Sequence, residues 1–310
     1  MGSWAAKRVV IAGGAGFIGT YLTRALLAAG AEVAVIDNLS TGQADRSPAP
    51  LFIADIATVE RLPLTADVFF NLACPASPRA YQADPVQTWR TSVLGVWNLS
   101  QLALGAGARF VQGSTSEVYG DPLVHPQTED YPGNVVLIGP RACYDEGKRA
   151  GEVLLYDMAR TKGLDIRVAR IFNTYGAGMA RGDGRALPAF IEAALAGVPL
   201  RLEGGGAQTR SFCHVDDMVR GLMALAVSDA ARGLPVNLGN PDERTIREAA
   251  EMVLRLTFSR SPLMDVDAAE NDPRRRCPDI TRARDLLGWE PQVRFEDGLM
   301  AMIEDFAGRR

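Results

Sequence analysis

Cysteine and histidine are scarce in this chain of 310 residues, which contains four cysteines and two histidines. The cysteines lie far apart, and none forms a Cys-x-x-Cys pair with another; they are Cys74, Cys143, Cys213 and Cys277. A disulfide framework or a zinc site would need closer and more numerous ligands. We therefore expect free thiols, a reducing cytoplasmic location and no bound metal.

An excess of positive charge is also missing. Lysine and arginine number 33 against 37 aspartates and glutamates, and the basic residues are scattered except at positions 274–276. This pattern argues against a nucleic-acid partner. The apolar stretch 9–23 contains four glycines and is followed by Arg24, and stretch 91–108 contains polar residues, so neither is typical of a signal peptide or a membrane span. We expect no membrane partner.

Short apolar runs alternate with helical patterns through the first half of the chain. This alternation predicts an α/β fold of the Rossmann type, a doubly wound parallel sheet. The predicted strands are 8–12, 33–37, 51–54, 68–73, 110–113 and 166–171. Helices are predicted at 17–29 and 141–161, each followed by a glycine that can end it.

A glycine-rich turn joins the first strand to the first helix. Gly13, Gly16 and Gly19 let the backbone approach a pyrophosphate at the N-terminus of that helix, where Phe17 and Ile18 lie. Eighteen residues beyond Gly19, the second strand ends at Asp37, whose carboxylate can accept hydrogen bonds from both ribose hydroxyls and would repel a 2′-phosphate. The pattern predicts NAD rather than NADP. The alternative is a simple turn and a strand-end cap.

Other cofactor contacts are expected where neighbouring strands end. Asp55 is expected at the adenine edge or, equally, in solvent. The remaining positions are Asn38, Ile56, Leu72 and Ala73.

Residues 1–173 are accordingly predicted to form the NAD-binding domain. Residues 174–310, with helices near 187–196 and 295–306, are predicted to form a smaller substrate-binding lobe. A strand-like run at 235–240 is expected to return to the first sheet, so that the two domains interleave.

Tyr144 and Lys148 are four residues apart on a predicted helix, which places both side chains on one face. The pKa of a tyrosine must fall by about three units for the side chain to ionise at neutral pH, which requires roughly 4 kcal/mol of favourable interaction with the phenolate. An exposed ion pair supplies only about 0 to 1 kcal/mol. We therefore expect a partly buried site, in which Lys148 and an oxidised nicotinamide together favour the phenolate and both residues contact the cofactor.

Several longer segments are similar to the extended short-chain dehydrogenase/reductases, and among them to the UDP-glucuronate decarboxylases. The main matches are Asn-Leu-Ala-Cys-Pro-Ala-Ser-Pro at 71–78, and segments 114–122, 139–149 and 169–176. Further matches lie at 183–185, 208–212, 236–241 and 278–280, so the resemblance covers essentially the whole chain. It implies conversion of UDP-glucuronate to UDP-xylose through a 4-keto intermediate, with NADH recycled internally.

The resemblance also implies roles for individual residues. Thr115, Ser116 and Glu117, at the end of the fifth strand, would enter the substrate cleft. Glu117 would take part in delivering a proton to carbon 5, and Arg276 would lie near the departing carboxylate or the ring. Contacts with the nucleotide sugar are implied for Pro75, Ser77, Asn173, Arg185, Arg210 and Arg276. Without the resemblance, Glu117 is equally typical of a helix N-terminus, and Arg276 of a solvated surface.

Other functions on the same fold are a nucleotide-sugar 4-epimerase, a 4,6-dehydratase, a decarboxylase that releases the UDP-4-keto-pentose, and a non-enzymatic NAD-sensing protein. A dehydratase would have Thr-Asp-Glu at positions 115–117, where this chain has Ser116 in place of the aspartate. An NAD-sensing protein would typically lack the tyrosine or the lysine, and this chain has both. The chain departs from the family pattern at 136–137, at 177–178 and at Cys277, so sugar tolerance is open. The resemblance further implies a homodimer through helices 86–104 and 141–161.

Overall fold

A seven-stranded parallel sheet forms the centre of the protein in the computed structural model, which describes residues 4–61, 65–268 and 273–308. Its strands are β1 (Arg8–Ala12), β2 (Glu32–Asp37), β3 (Leu51–Ile53), β4 (Val68–Asn71), β5 (Arg109–Thr115), β6 (Ile166–Ile171) and β11 (Pro235–Leu238). Their order across the sheet is β11-β6-β5-β4-β1-β2-β3. The prediction of a doubly wound parallel sheet is confirmed.

The chain reverses its direction across the sheet at β1. Ala12 at the end of β1 pairs with Ile36 of β2 on one side and with Asn71 of β4 on the other. Residues Val9–Ala12 are buried, as expected for a strand covered on both faces. Connections that leave in opposite directions open a crevice beyond the carboxyl ends of the strands, and ligands of such sheets bind there.

Helices cover both faces of this sheet and build the second lobe. They are α1 (Phe17–Ala28), α2 (Pro78–Ala83), α3 (Pro85–Arg90), α4 (Val96–Ala106), α5 (Ala142–Lys162), α6 (Ala186–Ala196), α7 (Val215–Val227), α8 (Ile246–Thr257), α9 (Thr281–Leu287) and α10 (Phe295–Gly308). As predicted, α5 ends at Gly163, which has a φ of 74°. In the described ranges, none of the helices is long and apolar enough to cross a membrane.

The helix predicted over residues 86–104 is interrupted. A π-helical turn, Thr91–Gly95, separates α3 from α4, although the backbone stays in the right-handed helical region on both sides. The helix α5 packs closely against this turn, since a Cβ atom at Gly151 would lie 2.9 Å from the carbonyl oxygen of Ser92. The sequence pattern did not reveal this turn, because a single π-helical turn keeps right-handed helical dihedrals and differs from an α-helix only in its backbone hydrogen bonds.

The second lobe has a core of its own. Its other strands form short pairs: β7 (Thr174–Tyr175) with β10 (Cys213–His214), β9 (Thr209–Ser211) with β12 (Glu243–Thr245), and β8 (Leu200–Glu203) with β13 (Leu263–Val266). Apolar side chains of α6, α8 and α10 fill the space between them, including Phe190, Val253, Leu299 and Phe306. This lobe stands beside the sheet and carries several of the predicted substrate contacts.

Candidate active site

The glycine-rich turn forms a cradle that has no room for side chains. A Cβ atom at Gly13 would lie 2.7 Å from the backbone nitrogen of Ala73, and one at Gly19 would overlap the carbonyl oxygen of Gly13. Gly16 is the N-cap of α1 and has no side chain to cap the first-turn N–H groups. A pyrophosphate can take that place, because these N–H groups point toward an anion at the helix N-terminus. The turn therefore fits a dinucleotide.

The Asp37 carboxylate lies next to this cradle. One oxygen accepts a hydrogen bond from the backbone nitrogen of Ala15 at 3.0 Å, and the other accepts one from that of Leu39 at 2.9 Å. A Cβ atom at Gly42 would lie 3.0 Å from both oxygens, so the chain passes close over the carboxylate. This position at the end of β2 suits the ribose of NAD.

The other cofactor positions predicted from the sequence divide into two groups. Leu72 and Ala73 lie directly against Gly13, and Asn38 accepts a hydrogen bond from Ser40 in the loop after β2. Asp55 and Ile56 instead form hydrogen bonds with the helical segment 85–106. The Asp55 carboxylate accepts one from the side-chain amide of Gln87, and the Ile56 carbonyl accepts one from that of Asn98.

Tyr144 and Lys148 lie together at the first turns of α5, and each is 6% exposed. The Lys148 ammonium donates to the carbonyl oxygen of Gly113 at 2.9 Å and lies 5.8 Å from the centre of the Tyr144 ring. The Tyr81 ring stacks on Tyr144 with 5.1 Å between ring centres. The predicted pair therefore shares one buried face beside the end of β5.

Burial raises the pKa of Tyr144 well above its usual value of 10, and the neighbouring Cys74 thiol adds to this effect. A hydrogen bond with the Thr115 hydroxyl opposes it. Without further positive charge nearby, Tyr144 is thus a neutral phenol at pH 7. This agrees with the expectation that the pair requires its cofactor.

A buried cluster of charges lies at the end of the same strand. Oε2 of Glu117 accepts hydrogen bonds from Arg141 and from Arg276, both at 2.7 Å, and Arg276 also donates to Oδ1 of Asn173 at 3.0 Å. Burial alone would raise the pKa of Glu117, but the guanidinium groups of Arg276 and Arg141 outweigh it and lower the pKa. Glu117 is therefore a carboxylate at neutral pH.

Arg141 is the member of this cluster that the sequence reasoning missed. It precedes Tyr144 by three residues, which is close to one helical turn, so the two side chains share a face. The sequence did contain a signal for Arg141. It is a cation within the matched segment 139–149, and it shares a helix face with the predicted catalytic tyrosine. Arg210 is also close, since it helps to lower the pKa of Glu117.

The remaining predicted site residues lie in three places. Ser116 is buried in the 3-10 turn that includes Glu117, and Ser77, just after Pro75, begins α2, the helix that carries Tyr81. Arg185 begins α6 and pairs with Asp183. Direct contacts therefore join Glu117, Asn173 and Arg276 and, separately, Thr115 and Tyr144.

Comparison with known proteins gives the family. The NAD dependent epimerase/dehydratase family matches residues 9–239. This chain belongs to that family. UDP-glucuronic acid decarboxylase 6 of Arabidopsis thaliana is 48% identical over 305 residues, which cover 96% of this chain and 88% of the relative. UDP-glucuronic acid decarboxylase 1 of Danio rerio is 47% identical over 308 residues, covering 97% of this chain and 73% of the relative.

A solved structure of this epimerase/dehydratase type is similar over nearly all of its length. The protein MoeE5, in complex with UDP-glucuronic acid and NAD, superimposes with a TM-score of 0.86 at 27% identity, over 98% of this chain and 100% of that one. NAD is the cofactor of the family, and the glycine cradle and Asp37 have the shape and chemistry that it requires.

Proposed function

We propose that this protein is a decarboxylase that converts UDP-glucuronate to UDP-xylose and carbon dioxide, with NAD as a recycled cofactor. The observation that carries the proposal is the buried Glu117 carboxylate between Arg141 and Arg276, beside the turn that bears Thr115. Plain oxidation and reduction at carbon 4 needs only the tyrosine and the lysine. The relatives named UDP-glucuronic acid decarboxylases support the same reaction.

Recognition of the substrate follows from the charges in the cleft. A glucuronate carboxylate requires a cation when it is removed from water. The guanidinium of Arg276 contacts both Glu117 and Asn173, so it is the cation that we assign to this carboxylate. A carboxylate that binds Arg276 competes with Glu117 for it. The pKa of Glu117 would then rise, because Arg276 is the first of the groups that lower it.

Tyr144 removes the proton from the 4-hydroxyl of the sugar. It can do so at neutral pH only after its raised pKa falls. The Lys148 ammonium, 5.8 Å from the ring centre, and the positive charge of an oxidised nicotinamide would together lower that pKa. Bound NAD supplies a reversible acceptor for the hydride of carbon 4. A hydrogen bond between the phenol and the Thr115 hydroxyl also lowers the pKa of Tyr144.

Loss of carbon dioxide then follows from the chemistry of the 4-keto acid. The carboxylate lies β to the ketone, and the electron pair of the broken bond becomes an enolate. Carbon 5 next takes up one proton, so the net reaction consumes one proton and releases one carbon dioxide. With Arg276 engaged by the substrate, Glu117 can receive a proton from solvent and deliver it to carbon 5.

The test is incubation of the protein with UDP-glucuronate and NAD⁺ while carbon dioxide, NADH and the nucleotide-sugar mass are followed. We expect UDP-xylose with no net NADH. Tyr144→Phe should stop both oxidation and carbon dioxide release, whereas Glu117→Gln should reduce release while NADH still forms on the protein. Glu146→Gln, on the same helix, is the control. A parent protein that changes UDP-glucuronate without releasing carbon dioxide would refute the proposal and favour an epimerase.

A homodimer is the second part of the proposal. The outward faces of α3, α4 and α5 expose large apolar side chains, including Val86 at 69% and Val153 at 61%, together with Trp89 and Trp97. Pairing of two copies about a two-fold axis would cover these side chains. Light scattering at micromolar concentration should give twice the chain mass, and Val153→Glu should shift it toward the monomer. A monomeric parent would refute this part.

We also propose a cytoplasmic location and a sheet domain at 1–173 interleaved with a sugar-binding lobe at 174–310. All four cysteines are free thiols, which suits a reducing compartment. The strand β11 pairs with β6 although residues 174–234 of the lobe lie between them in sequence. Fractionation of the source cells, and limited proteolysis with and without UDP, test the two statements.

A further inference from the structure

The short segment that carries Arg276 is fixed to the sheet domain by one buried side chain. Gln127 is 1% exposed. Its backbone N–H donates to the carbonyl of Cys277 at 2.8 Å, and its side-chain Oε1 accepts from the N–H of Cys277, also at 2.8 Å. Its carbonyl accepts from Asp279, and its Nε2 donates to Val124. Gln127 thus binds both polar backbone groups of the residue next to Arg276.

A second buried amide connects this segment to the turn that carries Glu117. Asn237 of β11 is fully buried, and its Nδ2 donates to the carbonyls of Gln127 and Asp279 at 2.9 and 3.0 Å. Its Oδ1 accepts from the Tyr119 hydroxyl at 2.7 Å. Tyr119 ends the 3-10 turn that begins one residue before Glu117. A continuous chain of hydrogen bonds therefore joins the backbone on both sides of the Glu117–Arg276 pair.

This connection matters because the pair is separated by 159 residues in sequence. Two buried side chains with a charged hydrogen bond of 2.7 Å tolerate little displacement, since a charge removed from its partner loses both Coulomb energy and a hydrogen bond. Neighbouring backbone must hold the two turns in register. Asn237 contacts both, through Tyr119 and Asp279, and Gln127 joins Asn237 to Cys277.

We propose that Gln127 and Asn237 are positioning residues for the decarboxylation step, which set the distance between Glu117 and Arg276 without touching the substrate. This inference rests on the proposed function for the meaning of that step. It predicts that replacing the side-chain amide of Gln127 or of Asn237 slows carbon dioxide release and leaves oxidation at carbon 4 nearly unchanged. Oxidation at carbon 4 depends on Tyr144 and Lys148, which lie on α5, whereas carbon dioxide release depends on the displaced Arg276.

The test compares four variants of the protein. Gln127→Met keeps the length of the side chain but removes both of its polar atoms. Gln127→Glu, when protonated, can still accept from Cys277 and donate to Val124, so it is the conservative variant. Asp217→Asn alters a comparable buried contact elsewhere in the fold. There, the carboxylate of Asp217 on α7 accepts hydrogen bonds from the N–H groups of Gln292 and Val293.

For Gln127→Met we expect carbon dioxide release to fall at least about tenfold, while NADH formation on the protein in a single turnover stays within roughly threefold of the parent. Gln127→Glu should regain release as the pH is lowered toward 6. Asn237→Asp should behave like Gln127→Met, because it loses both donors but keeps the acceptor for Tyr119. Asp217→Asn should leave the ratio of the two rates unchanged.

Hydrogen exchange at the Cys277 amide, measured by mass spectrometry, gives a readout that needs no substrate. Gln127→Met should exchange faster than the parent at this amide. If Gln127→Met lowered the rates of NADH formation and carbon dioxide release by the same factor, or lowered neither, the positioning role would be overturned. A parent protein that releases no carbon dioxide, yet shows the faster Cys277 exchange on mutation, would refute the proposed reaction while leaving the structural clamp in place.

Discussion

The two ends of the cleft are built in opposite ways. At the cofactor end, Gly13 and Gly19 leave space for a ligand by having no side chains, and the turn is formed by residues that are adjacent in sequence. At the other end, Glu117, Arg141 and Arg276 come from three separate segments and bury their charges against each other. At the first end, the space for the ligand depends on backbone shape. The second depends on a balance between desolvation and pairing, which one missing partner upsets.

The largest effect is expected from filling the cofactor end. A methyl group in Gly19→Ala would overlap the carbonyl oxygen of Gly13 and crowd Gly14, so the turn must open and NAD should bind at least about a hundredfold more weakly, a loss of roughly 2.7 kcal/mol. Titration with NAD by calorimetry checks this. Gly105→Ala is the matched control, since a Cβ atom there has nothing within 4 Å and helix α4 should gain slightly. Near-parental NAD affinity in Gly19→Ala would mean that the cradle does not hold the pyrophosphate.

A smaller effect is expected from removing one charge at the other end. Arg141→Met deletes the hydrogen bond to Glu117 at 2.7 Å and one of the two main groups that lower its pKa. The pKa of Glu117 should rise, so the basic limb of the rate profile, where Glu117 loses the proton that it delivers to carbon 5, should move to higher pH. Carbon dioxide release at pH 7 should fall roughly ten- to hundredfold.

Arg160→Met, which replaces an exposed arginine on the same helix, should change neither the basic limb nor the rate. If the basic limb of Arg141→Met coincided with that of the parent, Glu117 would not be the group whose titration sets that limb. NAD binding should be parental in both variants, which separates this end of the cleft from the other.

The difference between the two ends also explains what the sequence alone could reveal. The glycine turn and Asp37 are contiguous or joined by one strand, so spacing predicts them. The roles of Glu117 and Arg276, which are 159 residues apart, came only from family resemblance, and their direct contact and Arg141 were not predicted. Asn237 lies in the matched segment 236–241, but neither it nor Gln127 was given a role, because an amide acquires its importance from the backbone that it meets in the folded chain. The π-helical turn at Thr91–Gly95 was not predicted, because it differs from an α-helix only in its backbone hydrogen bonds.

A change of about tenfold is expected at Asp37, a charged residue at the cofactor end. Asp37→Asn removes the repulsion toward a 2′-phosphate but keeps one acceptor oxygen for the ribose, so the preference for NAD over NADP should shrink by about tenfold, or roughly 1.4 kcal/mol. The ratio of the two dissociation constants measures it. Asp45→Asn, in the following loop, should leave that ratio alone. A parent that binds both cofactors equally would contradict the role of Asp37.

The smallest expected effect concerns stability rather than rate, and it involves the charged end. Asp145 is 6% exposed, and its Oδ2 lies 3.8 Å from Nε of Arg141. Burial, and then the Glu117 charge, raise the pKa of Asp145 to about 7, although Arg141 and Arg276 oppose the rise. The folded protein therefore binds more protons than the unfolded chain between the ordinary carboxyl pKa near ~4 and about 7, so this group lowers the free energy of unfolding as the pH rises through that window.

Asp145→Asn removes the titration, because the amide stays neutral at every pH. Relative to the parent, the variant should therefore gain stability as the pH is raised from 5 to 8, and each gain of ~1 kcal/mol would raise the melting temperature by roughly 2–4 °C. Melting curves at both pH values measure this difference, with the exposed Asp157→Asn on the same helix as the control. A difference between Asp145→Asn and the parent that is the same at pH 5 and pH 8 would mean that Asp145 ionises as an ordinary carboxyl, and that the charged end tolerates a second carboxylate beside Glu117 without cost.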